Sequence, residues 1–401
     1  MLVWIHGGGL TQDAGRNYDG SKLAADGIVV VTINYRLGAL GFLAHPALAS
    51  RPGGASGNYG LMDQQAALRW VQRNIEQFGG DPGNVTIAGQ SAGGLLVLAQ
   101  MVSPGARGLF QRAIVQSGTF ALNQQPLATA EVAGETFAQD VGCADQSAAC
   151  LRSVPVSELV SKFGVEIPGV VDGSVLTQPI GTALASGQFA RVPVINGITH
   201  DEELLFVDLV GITVSQGTDI PLAGDPMNPA NYQANIAQAL GVSPARAAAI
   251  AVEYPLSAYP NSVTAFSLLV SDASFACPAL QVDHWTAARG VPTYAYQFND
   301  DNAPLNIVGS SLGLATHGTE LPYLFDQPNA PHPAMLNPDQ QALAASMRTD
   351  WASFAGTGNP SSRALPWPSF NGTRVLSLVP LQSQVTTDFA TAHHCSFWAA
   401  G

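Results

Sequence analysis

The chain has 401 residues, of which 46% are apolar and only 11% charged, far below the roughly 25% charge of an average soluble protein. That balance excludes extensive disorder, which needs low hydrophobicity and high net charge. Sixteen basic against twenty-nine acidic residues leave a formal charge of −13, the wrong sign for a surface that tracks phosphates, so nucleic acid is excluded as a partner.

In chain order, residues 2–5 form a short apolar run that meets Gly7-Gly8-Gly9, which predicts a buried strand ending in a glycine loop. Residues 28–34 (IVVVTIN) are β-branched and unbroken, as in a parallel strand covered on both faces. Leu61, Leu68, Val71, Ile75 and Phe78 share one helical face, closed by Gly79-Gly80. A turn at 81–84 then leads to a strand at 85–88, a helix at about 92–102 and a strand at 113–116. Residues 125–190 read as mainly helical with Pro155 and Pro168 as breakers, and 192–198 returns to strand. Helices are expected at 230–253 and 262–288, a strand at 293–298, and a Gly/Ser/Asn/Pro-rich loop to about 316. A helix near 339–356, a strand at 375–378 and a C-terminal helical piece at 393–398 complete the chain.

Strands that alternate with helices predict an α/β fold with a mostly parallel sheet. No internal repeat or long linker divides the sequence, so one domain over 1–401 is expected, with helical insertions at about 120–190 and 205–260. No uncharged apolar run approaches the ~20 residues that span a bilayer, so no transmembrane segment is expected.

Gly89-Gln90-Ser91-Ala92-Gly93 fits the G-x-S-x-G elbow, in which a sharp strand-to-helix turn lifts a serine hydroxyl above a sheet. The pattern is short enough to recur by chance, and it does at Gly309-Ser310-Ser311-Leu312-Gly313. Context separates them: Ser91 follows a strand and opens a helix, whereas Ser311 lies inside a loop. A serine nucleophile needs oxyanion donors and a base. His6-Gly7-Gly8-Gly9 supplies side-chain-free backbone after the first strand, so the amides of Gly8, Gly9 and Ala92 are the expected oxyanion hole.

The acid and the base follow the serine in this type of fold. His200, His284, His317, His332, His393 and His394 all lie downstream of Ser91. His317 is preferred because it follows a long polar loop and precedes Gly318. For the acid, Asp201, Glu202 and Glu203 follow one strand and Asp300 and Asp301 another. Four cysteines without a CxxC pair favour two disulfides and an oxidising compartment over a metal site, with four buried thiols as the alternative.

These segments resemble the type B carboxylesterases, the α/β-hydrolase family that includes the cholinesterases. The resemblance is carried by VWIHGGG at 3–9, GNYGLMDQQAALRWVQRNI at 57–75, GGDPGNVTIAGQSAGG at 79–94 and IVQSG at 114–118. It continues through NGITHDEELLF at 196–206, HGTELPYLF at 317–325 and CSFW at 395–398. It implies an α/β-hydrolase fold, with His317 as catalytic histidine and Glu202 as catalytic glutamate. Glu203 stands where the family has glycine, and Gln90 where many members have glutamate. Ser117 matches a serine that supports the triad, and Glu320 is expected as a structural ion-pair partner. Cys143–Cys150 resembles a family loop disulfide, and Cys277–Cys395 resembles the one that ties down the C-terminal segment.

The resemblance implies a serine carboxylic-ester hydrolase for small to medium neutral esters, with no metal or organic cofactor. The alternatives are an inactive cholinesterase-like adhesion module and a lipase on the same scaffold. Relatives place strands and a choline-stacking tryptophan ahead of the HGGG loop, so choline esters are poor candidates and an N-terminal segment is expected to be missing. Secreted or periplasmic location is expected through the disulfides, with cytoplasmic location as the alternative, because Leu2-Val3-Trp4-Ile5-His6 after Met1 is too short for a signal peptide and lacks its basic leader.

Overall fold

The computed structural model describes residues 1–49, 55–164, 169–210, 212–215, 218–306, 312–361 and 366–400. Ser311 of the second serine pattern and Pro168 lie outside them. The centre is an eight-stranded sheet of β1 (Leu2–Ile5), β2 (Val30–Ile33), β3 (Thr86–Gln90), β4 (Arg112–Gln116), β5 (Val194–Thr199), β6 (Thr293–Phe298), β7 (Val375–Leu378) and β8 (Gln384–Thr386). Their spatial order is β8-β7-β6-β5-β4-β3-β1-β2. All pairs are parallel except β7 with β8.

The inner strands are apolar on both faces because both faces are covered, and their period of two sorts side chains between two cores. On β1, Val3 and Ile5 join one core while Leu2 and Trp4 join the other. On β3 and β4, Ile87, Ala113 and Val115 point to the first and Ala88 and Ile114 to the second. The first core is filled by α1 (Tyr59–Asn74) and α2 (Ala92–Val102), the second by α4 (Pro338–Thr357) through Met347, Trp351 and Phe354. Every residue of α2 is buried, as an all-round apolar helix must be. Each Leu or Val of LLVL contributes about 1.5–3 kcal/mol by leaving water.

The structure differs from the sequence reading where turns or bulges interrupt a long period. The helix expected at 230–253 breaks into Tyr232–Leu240 and Pro244–Glu253, because Gly241 takes φ +61° and the Ser243 side chain caps the second piece at Arg246 N. The helical run 262–288 divides into Ser262–Ser271, a π turn Asp272–Ala276, and α3 (Cys277–Ala288). This run is long and apolar enough to cross a membrane by length and composition alone. It is mostly packed inside the protein, and it carries the buried carboxyls Asp272 and Asp283.

Within the insertion expected to be helical at 205–260, Ile212–Ser215 and Thr218–Pro221 form an antiparallel pair, consistent with β-branched Ile212, Thr213 and Ile220. The C-terminal piece is also interrupted: His394 takes φ +50° between Phe389–Ala392 and Cys395–Ala399. Disulfides join Cys143 to Cys150 and Cys277 to Cys395. The carboxyl ends of β1, β3, β4, β5 and β6 open toward one side, the side on which parallel α/β sheets assemble ligand sites.

Candidate active site

Ser91 stands between β3 and α2 with φ +58° and ψ −128°, a region that non-glycine residues rarely occupy. The turn is held by Ser91 N donating to Gln116 O at 2.8 Å and by Leu95 N donating to Ser91 O at 3.0 Å. Its tightness explains the flanking glycines: a Cβ on Gly93 would lie 2.0 Å from Ile5 O, and one on Gly89 2.5 Å from Gly93 C. Ala92 heads α2, so its amide has no acceptor within the helix. Unlike most of its surroundings, Ser91 is only half-buried.

The glycine loop follows β1. Gly8 and Gly9 have φ +84° and +59°, and a Cβ on Gly8 would lie 2.3 Å from Gln12 O, so only glycine fits there. His6 is buried and stacks on Tyr35 at 4.5 Å. Burial lowers its pKa, against smaller opposing effects of the Gly7 carbonyl and the Asp13 charge.

His317 Nδ1 lies 2.5 Å from Glu202 Oε2. Glu202 is fully buried at the end of β5, and its other oxygen accepts from Thr199 N at 2.9 Å. The segments that carry Glu202 and His317 are bridged, with Asp201 N donating to Ala315 O at 2.9 Å and Leu205 N to Thr316 Oγ1 at 2.8 Å. A carboxylate at Nδ1 fixes the proton there and leaves Nε2 as acceptor. Gln90 Nε2 meets that acceptor at 3.2 Å. Among the described hydrogen bonds, Nε2 is therefore engaged by Gln90 and not by Ser91 Oγ. Phe206 and Phe275 flank the imidazole with ring centroids at 5.2 and 5.7 Å, and Phe120 backs Phe275 at 5.4 Å.

The competing carboxylates have other partners. Glu203 Oε2 accepts from Thr213 Oγ1 at 2.9 Å, and Asp201 pairs with His200 at 2.9 Å. Asp300 accepts from Tyr323 OH and, at 2.9 Å, from Gln340 Nε2. Ser117 is buried with φ +51°, and its hydroxyl has no hydrogen-bond partner among the described residues. Glu320 differs from expectation: its Oε1 accepts from the neutral amide Gln116 Nε2 at 3.1 Å, and no salt bridge reaches it among the described residues. Burial first, and then the Glu202 charge, push its carboxyl up to about 7.

A further His–carboxylate pair, with both side chains fully buried, escaped the sequence reading. His393 Nδ1 lies 2.5 Å from Asp272 Oδ1, while Gln297 Nε2 occupies the other ring nitrogen. Its signal would have been a histidine beside a half-cystine opposite an aspartate inside an apolar helix. It ties the C-terminal segment to the π turn rather than serving an open site.

The model of the carboxylesterase family matches residues 1–398. The chain belongs to the carboxylesterase family. Carboxylesterases similar to it include human cocaine esterase, 35% identical over 99% of this chain and 71% of that protein. The rat pyrethroid hydrolase Ces2e is 36% identical over 92% of the chain and 65% of its own length. The para-nitrobenzyl esterase of Bacillus subtilis is 32% identical over 97% and 76%. Membership makes the chain a carboxylic ester hydrolase with an α/β-hydrolase fold.

Proposed function

We propose that this carboxylesterase hydrolyses small to medium neutral esters through an acyl-enzyme on Ser91, with His317 as base and Glu202 as its orienting acid. The observation that carries this reading is the 2.5 Å contact of His317 Nδ1 with the buried Glu202 carboxylate, beside a serine held at φ +58°. Glu202 keeps the imidazole in the tautomer whose Nε2 accepts, and stabilises the imidazolium once it forms. To reach the serine proton, Nε2 exchanges its Gln90 donor for Ser91 Oγ as substrate enters; resting enzymes commonly tighten such contacts only with ligand bound.

Ser91 Oγ then attacks the ester carbonyl. The amides of Gly8, Gly9 and Ala92 bind the oxyanion, His317 protonates the departing alcohol, and water activated by the same histidine releases the acid. The uncharged aromatic wall of Phe120, Phe206 and Phe275 supports neutral acyl or alcohol groups. One domain over 1–401 and an oxidising, extracytoplasmic compartment complete the reading; the two disulfides support the compartment.

Ser91→Ala tests the reading. Against p-nitrophenyl acetate its kcat is expected to fall by about 10⁴-fold or more, the scale of other serine triads, with loss of fluorophosphonate labelling. Retention of either would overturn the role of Ser91.

A further inference from the structure

The glycine loop continues into a clamp that the triad does not use. Gly8, Gly9 and Leu10 take successive positive φ values of 84°, 59° and 61°, and the amides of Thr11 and Gln12 both turn back to Gly8 O at 3.1 Å. Asp13 follows with φ +86°. That conformation is strained for a residue with a Cβ, and such strain persists only where surroundings over-determine it.

Asp13 is held by its own carboxylate. Oδ1 accepts from Ala14 N and from Asn17 Nδ2, both at 2.7 Å, and Oδ2 accepts from Tyr18 OH at 2.6 Å. Tyr18 is buried, with its ring 5.4 Å from Trp4 of β1 and 5.6 Å from Phe325. Burial, and then the Asp13 charge, raise the Tyr18 pKa well above its ordinary value, so the hydroxyl stays a donor. Phe325 ends the short helix that follows His317, and there Asp19 and Asp326 exchange backbone hydrogen bonds at 2.8 and 3.2 Å. The clamp thereby ties the glycine loop to the segment that bears the base. It also backs onto Gly8, where a Cβ would lie 2.8 Å from Asp13 Cβ.

We propose that Asp13 is a positioning residue for the oxyanion hole. By taking three donors its carboxylate fixes the left-handed turn that aims the Gly8 and Gly9 amides at the developing oxyanion. The inference rests on the Ser91 reading and deepens it. A carboxylate near an oxyanion opposes its charge, so the gain is geometric, and the three donors absorb much of the negative charge.

Three variants test it, each normalised to serine titrated by a fluorophosphonate. Asp13→Ala is expected to lower kcat by about 10–100-fold, a fraction of the 10²–10³ lost with a whole donor, with KM within about twofold. Asp13→Gly, which relieves the backbone strain without restoring the hydrogen bonds, is expected to fall similarly. Asp13→Asn tolerates the left-handed backbone and keeps the acceptor for Ala14 N and Asn17 Nδ2, so it is expected to recover most of the rate.

Affinity for a trifluoromethyl ketone, which forms a tetrahedral adduct on serine, should fall in step with kcat. Wild-type kcat per titrated site in Asp13→Gly, or a lowered Tm alone in Asp13→Ala, would overturn the proposal. Ser91→Ala, assayed on the same substrate per mole of folded protein, separates the two ideas. Activity that survives it overturns the serine reading and the Asp13 proposal together, whereas a Ser91-dependent enzyme indifferent to Asp13 overturns only the latter.

Discussion

Glu202 and His317, 115 residues apart in the chain, meet at 2.5 Å with the carboxylate fully buried and the imidazole nearly so. The neighbouring Glu203 turns to Thr213 Oγ1, so the two adjacent carboxylates have different partners. Glu202→Gln places an amide at Nδ1 and favours the wrong tautomer. Its kcat on p-nitrophenyl acetate is expected to fall by about 10³–10⁴-fold, as for other triad acids replaced by their amides. Glu203→Gln keeps an acceptor for Thr213 and is expected to stay within severalfold of wild type. Steady-state kinetics of the two variants decide between the carboxylates, and equal losses would remove the distinction.

Elements bounded by abrupt changes of composition were legible to the residue. The helix at 92–102 and the strands at 293–298 and 375–378 lie where the apolar runs predict them. The π turn at Asp272–Ala276 was not, because it inserts one residue into an apolar period without a glycine to mark it. The three-residue β8 was missed because its register depends on β7 alone.

At the site, Ser91, Glu202 and His317 could be singled out by order and by resemblance, and the structure brings Glu202 and His317 into contact. The Gln90 amide on His317 and the Asp13 clamp had no local signature. The first is a tertiary contact across 227 residues. In the second, the positive φ of an aspartate is invisible until its three donors are in place.

The stability of the protein should carry the imprint of Glu320. Burial, reinforced by the Glu202 charge, moves its carboxyl from 4.5 in the unfolded reference to about 7 in the folded protein. Between these values the folded state holds a proton that the unfolded state has released. Stability from this group is therefore complete below about pH 4.5, falls as pH rises to about 7, and is level above. The loss amounts to about 3 kcal/mol. Glu320→Gln keeps an acceptor for Gln116 and carries no charge. Its Tm is expected to exceed that of wild type by roughly 3–6 °C at pH 8 and to match it near pH 4.5. Calorimetry of both proteins across this range checks the window, and a difference independent of pH would reject it.

The two disulfides close loops of very different length, with sequence separations of 7 and 118. In the chain-entropy account, the short loop stabilises by about 2.5 kcal/mol and the long one by about 5 kcal/mol, through what each denies the unfolded chain. The long bridge has a second consequence. Cys277 begins α3 immediately after the π turn, and Phe275 in that turn rests against His317. Replacing Cys277 and Cys395 by serine is therefore expected to lower Tm by about twice as much as replacing Cys143 and Cys150. It should also reduce kcat at temperatures where the protein is still folded, because the wall beside the imidazole loosens. The Cys143/Cys150 pair closes its loop in a separate apolar cluster with Phe137 and Leu159, so its replacement should leave kcat unchanged. Thermal unfolding followed by circular dichroism, with initial rates well below each Tm, measures both effects, and equal shifts with equal rates would contradict the argument.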